Sequence, residues 1–172
     1  IIIGTSDQAL QGNNINIHEN ALGYSDDTLK DYFKITQFNT EPVLMMYPEN
    51  ESLQKWIIEK QKTLPLYDFS STNREKHTLW RIDSEQEITF LKTTFSSFGN
   101  LYIADGHHRS ASAELLFKEN KNNSNDNLDY FMSFLICEKL IQINEYNRLI
   151  HDLNGMETDE FLNILNEKFS VE

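Results

Sequence analysis

Leu101-Tyr102-Ile103-Ala104-Asp105-Gly106-His107-His108-Arg109-Ser110-Ala111-Ser112-Ala113 is the stretch that decides the fold. Leu101 to Ala104 is a short apolar run, the length of a buried strand. Asp105-Gly106 breaks it, because glycine reaches backbone conformations closed to other residues. Ser110 to Glu119 is rich in Ala, Glu, Leu and Lys, all good helix formers, and reads as a helix. Strand, tight turn and helix form the basic unit of α/β proteins. The turn lies at the carboxyl end of its strand, where open α/β sheets bind their ligands.

Working outward, residues 1–4 read as a strand, and Ile15 and Ile17 flank Asn16 in short alternation before His18-Glu19. Ser25 is a good N-cap, and Asp26 and Asp27 suit the first turn of a helix with Leu29, Tyr32 and Phe33 inward. Pro42 to Tyr47 is a continuous apolar run and predicts a buried strand. Leu53, Trp56, Ile57 and Lys60 then recur at helical spacing. Leu64 to Phe69 is extended, and the alternation from His77 to Ile82 predicts a strand with Trp80 in the core. Ser84 and Glu87 form a capping box ahead of a helix with Ile88, Leu91, Phe95 and Phe98 inward. Lys121 to Asn127 is a polar loop. Tyr130 to Cys137 and Leu140 to Tyr146 read as a β-hairpin joined by Glu138-Lys139. Asn154-Gly155 is a turn, and Thr158-Asp159 caps a last helix with Phe161, Leu162, Leu165 and Phe169 inward. The order predicts an α/β (α+β) chain with a mixed sheet, flanking helices and a hairpin.

Composition narrows the function classes. The 172 residues carry 15 Lys+Arg against 27 Asp+Glu, a formal charge of −12. Aromatic residues at 12% are too many for a disordered chain. A lone Cys137 excludes an internal disulfide and a cysteine-rich zinc site. No apolar run approaches the roughly 18–20 residues of a membrane span, and no basic leader opens the chain. The negative charge argues against nucleic acid and anionic membrane as partners, since those surfaces are met with Lys and Arg. A cytoplasmic location is the expectation. The chain opens on Ile1-Ile2-Ile3 and stops just after a helical pattern, so residues 1–172 are expected to be a single domain taken from a longer protein.

Asp105 to Arg109 concentrates the chemistry. Gly106 permits close approach of a ligand, and N–H groups of the first helical turn favour an anion. Arg109 adds a fork of donors suited to phosphate. Asp105 can hold a metal or accept a proton. The competing structural explanation is a capped helix with surface histidines and an Arg109 paired to an acidic neighbour. Adjacent His107 and His108 lack the spacing of a zinc pair on a helix. A magnesium ion shared between Asp105 and nucleotide phosphates asks less of the protein. His18-Glu19 and Tyr146-Asn147-Arg148 are weaker candidates, the first also readable as a surface acid and the second as a strand-end arginine paired with Asp152.

Tyr102 to Ala113 resembles a widespread uncharacterised bacterial and archaeal family with the signature YIADGHHR-ASA. Ile15 to Asn20, Thr40-Glu41-Pro42-Val43, Leu66 to Phe69, His77 to Trp80, Tyr146 to Arg148, Asp152 to Gly155 and Phe161-Leu162 match that family in order. More remotely, an H-E pair followed by D-G-H-H-R is similar to the free-serine kinases of the ParB/sulfiredoxin-like fold. That resemblance implies a ParB/sulfiredoxin-like core and a nucleotide-dependent transfer of phosphate to free L-serine or a similar small hydroxy acid. It implies Glu19 and Asp105 as catalytic acids, Gly106, His107, His108 and Arg109 as the phosphate-binding turn, and Mg2+ with ATP or ADP, the metal held by Asp105. His18, Asn147 and Arg148 are the expected substrate-binding residues, Arg148 for the substrate carboxylate. The chain departs from the family between Asn20 and Asp27, where basic residues are usual and this sequence is acidic. The alternatives are a nucleotide-binding module without transfer chemistry and a structural domain. A sulfiredoxin-type reaction needs a cysteine in the turn, and Cys137 lies elsewhere.

Overall fold

A computed structural model describes residues 1–6, 9, 15–16, 23–120, 129–145 and 147–170. The chain divides into two compact units, Ile1–Ile141 and Gln142–Glu172.

The first unit is built on a five-stranded mixed sheet. Its strands are β1 (Ile2–Ser6), β2 (Ile15–Asn16), β3 (Val43–Tyr47), β6 (Leu101–Asp105) and β7 (Tyr130–Cys137), in the order β1-β7-β3-β6-β2. β1 and β7 pair antiparallel, β7 and β3 parallel, β3 and β6 antiparallel, and β6 and β2 parallel. A separate hairpin pairs β4 (Tyr67–Ser70) with β5 (Lys76–Leu79). Among the described residues this unit has four α-helices of more than one turn: α1 (Gly23–Thr36), α2 (Glu51–Gln61), α3 (Glu85–Ser97) and α4 (His107–Asn120).

Strand alternation makes the core. Val43, Met45 and Tyr47 of β3 and Phe131, Leu135 and Cys137 of β7 point to one face of the sheet with Ile103 of β6. Leu53 of α2, Leu91 of α3 and Ala113 of α4 join them. Tyr47 stacks on Phe98 and meets Phe95 edge-on, with ring centroids 5.6 and 5.5 Å away. Small residues let α4 come close to its neighbours: Ser110, Ser112 and Ala113 are all buried. α1 packs along α4, and Lys30 of α1 reaches Glu119 of α4 at 2.6 Å.

Caps explain the helix starts. Asn50 accepts the Leu53 N–H at 2.9 Å and opens α2. Ser84 accepts the Glu87 N–H and opens α3. The Glu87 carboxylate does not return to Ser84; it takes Lys60 of α2 at 2.7 Å, so the expected capping box becomes an interhelical ion pair. α1 begins at Gly23, which puts Ser25 inside the helix rather than at its cap.

The hairpin expected over Tyr130 to Tyr146 is not formed. β7 has β1 on one edge and β3 on the other, so neither edge is open to a following strand. The chain turns instead into a short 3₁₀ helix at Glu138–Leu140, and 141–145 is not strand. The hairpin of this fold is β4–β5. Trp80 lies just past β5, half-buried rather than in the core, its indole N–H donating to the Thr63 carbonyl at 3.0 Å. The loop read at Lys121 to Asn127 is outside the described residues.

The second unit contains α5 (Thr158–Asn166), preceded by a turn in which Asn154 and Gly155 have φ of 58° and 78°. The N-cap of α5 is Glu157, one residue before the expected Thr158. Phe161 and Leu165 are its half-buried residues, while Leu162 and Phe169 are exposed.

Candidate functional site

β6 carries the corner. Ile103 is fully buried and fixes the strand, and Asp105 ends it with an exposed carboxylate. The β3–β6 register shifts between Leu44 and Met45, beside the Leu44–Asp105 pair. Such irregularities re-aim side chains next to sites. Gly106 follows with φ of +92°, a conformation that L side chains rarely adopt. Its carbonyl accepts the Ser110 N–H at 3.0 Å, so α4 starts directly behind the turn. The first turn of α4 therefore stands at the carboxyl end of β6, the position from which a helix start can meet an anion. His107 is buried and His108 half-buried. Their carbonyls accept the hydroxyls of Ser110 and Ser112 at 2.9 and 2.6 Å.

Arg109 is engaged at this corner. It donates from Nη2 to Asp105 Oδ2 at 2.8 Å and to the Pro42 carbonyl at 3.3 Å, and from Nη1 to Glu41 Oε2 at 3.0 Å. Its Nε is buried with no hydrogen-bond acceptor. The guanidinium folds over Gly106, in space that a Cβ would take. The turn thus needs glycine twice, for its φ and for the arginine that covers it.

These groups open onto a cleft of about 530 Å³, a volume ordinary for a small-molecule site. One wall is Asp105 to Arg109 with Thr40 and Glu41; the other is Leu29, Tyr32 and Phe33 of α1. Topology explains the company. β3 runs antiparallel to β6, so the residues entering β3, Thr40 to Pro42, meet the residues leaving β6. α1 reaches the same place by packing on α4.

Asp105, Gly106, His107, His108 and Arg109 are therefore brought together as the sequence suggested. His18, Glu19 and Tyr146 lie outside the described residues. Asn147 and Arg148 belong to the second unit and are exposed, and Asn147 donates to Glu145 at 2.9 Å. Glu41 and Thr40 were not among the expected site residues; their only signal was the ordered match at Thr40 to Val43. Tyr32 and Phe33 read as core residues of a helix, and nothing local marked them as cleft walls.

Among the described residues no group of three or more His, Cys, Asp or Glu is arranged to hold a metal alone. A magnesium ion bound through one or two carboxylates and ligand phosphates does not need such a group, and the exposed Asp105 carboxylate at the mouth of the turn fits that use.

Residues 1–172 match the family described as Protein of unknown function (DUF1015). The chain belongs to that family. No curated protein and no solved structure matches it. No helix among the described residues is long and apolar enough to cross a membrane.

Proposed function

We propose that this DUF1015 chain carries the phosphoryl-transfer site of a small-molecule kinase, one that moves phosphate from ATP or ADP to free L-serine or a similar hydroxy acid. The observation that carries the reading is the corner at Asp105 to Arg109: a strand end, a positive-φ glycine and a helix start, all opening on one cleft. Phosphoryl transfer depends on positioning and charge neutralisation more than on covalent help from the protein. In this reading the α4 N–H groups hold nucleotide phosphates, and Asp105 holds Mg2+, which would neutralise phosphate charge. Leu29, Tyr32 and Phe33 give the nucleotide base an apolar wall.

Glu19 is the base that orients the serine hydroxyl and takes its proton. β2, whose last described residue is Asn16, runs parallel to β6 with Asn16 opposite Tyr102, and Glu19 itself lies outside the described residues. His18 belongs to the proposed substrate set, and a ParB/sulfiredoxin-like core and a cytoplasmic location go with this reading.

Formation of phosphoserine from L-serine and ATP or ADP by the full-length protein tests it. Activity abolished by Glu19→Gln and by Asp105→Asn is expected. No product with either nucleotide, or full activity in both variants, overturns it.

One observation favours a second reading. Arg109 already has two carboxylate partners, as a structural arginine would, and the stretch after Glu19 lacks basic residues. A nucleotide-binding module without transfer would bind nucleotide and leave serine unchanged in the same assay.

A further inference from the structure

Arg109 carries one positive charge and sits against two negative ones, Asp105 and Glu41. The Asp105 and Glu41 carboxylates and the Arg109 guanidinium of the cleft sum to −1. An anion approaching the α4 N–H groups meets a guanidinium whose charge is already more than balanced. The Asp105 contact is built into the corner, since the two residues are one helical turn apart. The Glu41 contact is not local. It comes from 68 positions away, on the segment entering β3, and the Pro42 carbonyl fixes the same guanidinium beside it. The Glu41 side chain is 71% exposed. An exposed acid set on the arginine of a turn proposed to receive an anion bears on which anions that turn accepts.

We propose that Glu41 is a specificity-determining residue: it makes the corner reject bare anions and accept phosphates that arrive with a divalent cation. A bare polyphosphate, sulfate or carboxylate brings only negative charge to a site already at −1. A metal-chelated polyphosphate brings the cation that two carboxylates attract, and its phosphate oxygens then take the guanidinium and the helix N–H groups. The ligand class is thus a di- or triphosphate bound as its metal complex. The inference rests on the nucleotide reading for that ligand, and the discrimination it assigns to Glu41 is measured separately.

The test compares wild type with Glu41→Gln by calorimetry at pH 8, using tripolyphosphate with EDTA and, separately, ATP with excess Mg2+. Glu41→Gln keeps the size of an exposed side chain and one hydrogen-bond acceptor, and Glu41→Ala gives a second variant if the first fails to fold. Removing one negative charge a few ångströms from the anion in a solvated cleft predicts about threefold to tenfold tighter binding of bare tripolyphosphate. MgATP affinity rises less or falls, so the preference for the metal complex shrinks. Bare-anion binding that is unchanged, weaker or undetectable in both proteins overturns the proposal. A loss confined to MgATP also overturns it, by making Glu41 a metal contact only. Failure of wild type to bind MgATP would instead count against the nucleotide reading, whatever tripolyphosphate does.

Discussion

Gly106→Ala is the most informative single change at the corner. At φ of +92° the new side chain is in a backbone region that costs an L-residue about 1–3 kcal/mol. Its Cβ would stand 2.9 Å from Arg109 Nη2, 3.0 Å from Nε and 3.2 Å from Cζ. A flexible arginine would ordinarily step aside at little cost. Here the guanidinium is tied to Asp105, Glu41 and the Pro42 carbonyl, and moving it loosens all three contacts. Each exposed ion pair contributes roughly 0–1 kcal/mol, so the whole substitution costs about 2–4 kcal/mol. Urea unfolding followed by tryptophan fluorescence measures it, and a double-mutant cycle with Arg109→Ala separates its parts. In the Arg109→Ala background Gly106→Ala should cost about 1 kcal/mol less, the backbone part remaining. A loss below about 0.5 kcal/mol in the wild-type background would refute the reasoning, as would an equal cost in both backgrounds.

Three further outcomes follow from the first unit. The Ser133 hydroxyl is fully buried with no partner, so Ser133→Ala should leave stability unchanged or raise it by up to about 1–2 kcal/mol in a denaturant titration. Lys60 and Glu87 tie α2 to α3 from a half-buried position; Glu87→Gln should cost about 0.5–1 kcal/mol, and the loss should persist in moderate salt because burial limits screening. The Tyr47 phenol is held above its ordinary value of 10.0, by burial first and by the nearby Cys137 second. Below that value both folded and unfolded chains are neutral there; above it the unfolded chain ionises first, so folding stability falls as pH rises through about 10. Unfolding titrations at pH 8 and 10.5 should show a smaller alkaline loss for Tyr47→Phe than for wild type.

Much of the fold was legible in short-range pattern. The apolar runs from Leu101 to Ala104 and Pro42 to Tyr47, the helical spacing of α2 and the capped start of α3 all announce themselves within a dozen residues, because burial leaves a local pattern in the sequence. The second strand expected after Cys137 does not form, for a long-range reason: whether an apolar segment finds a strand partner depends on which edges are free, and β1 and β3 occupy both edges of β7. The site divides the same way. Asp105 to Arg109 is contiguous and could be read at once. Glu41 and Tyr32 come to it through the antiparallel β3–β6 pairing and the packing of α1 on α4, and no local pattern marks either as a cleft residue. Arg109 is readable either as a phosphate contact or as paired to an acidic neighbour; it pairs with Asp105, four residues away, and also with Glu41, which the local pattern could not bring near.

The proposed function requires the corner behind Asp105 to receive a nucleotide with its metal. Calorimetry of MgATP and MgADP against wild type and Asp105→Asn measures this directly. Saturable one-site binding to wild type, weakened at least about tenfold by Asp105→Asn, is the predicted result. Absence of binding by both nucleotides, or equal affinity in the two proteins, would contradict it.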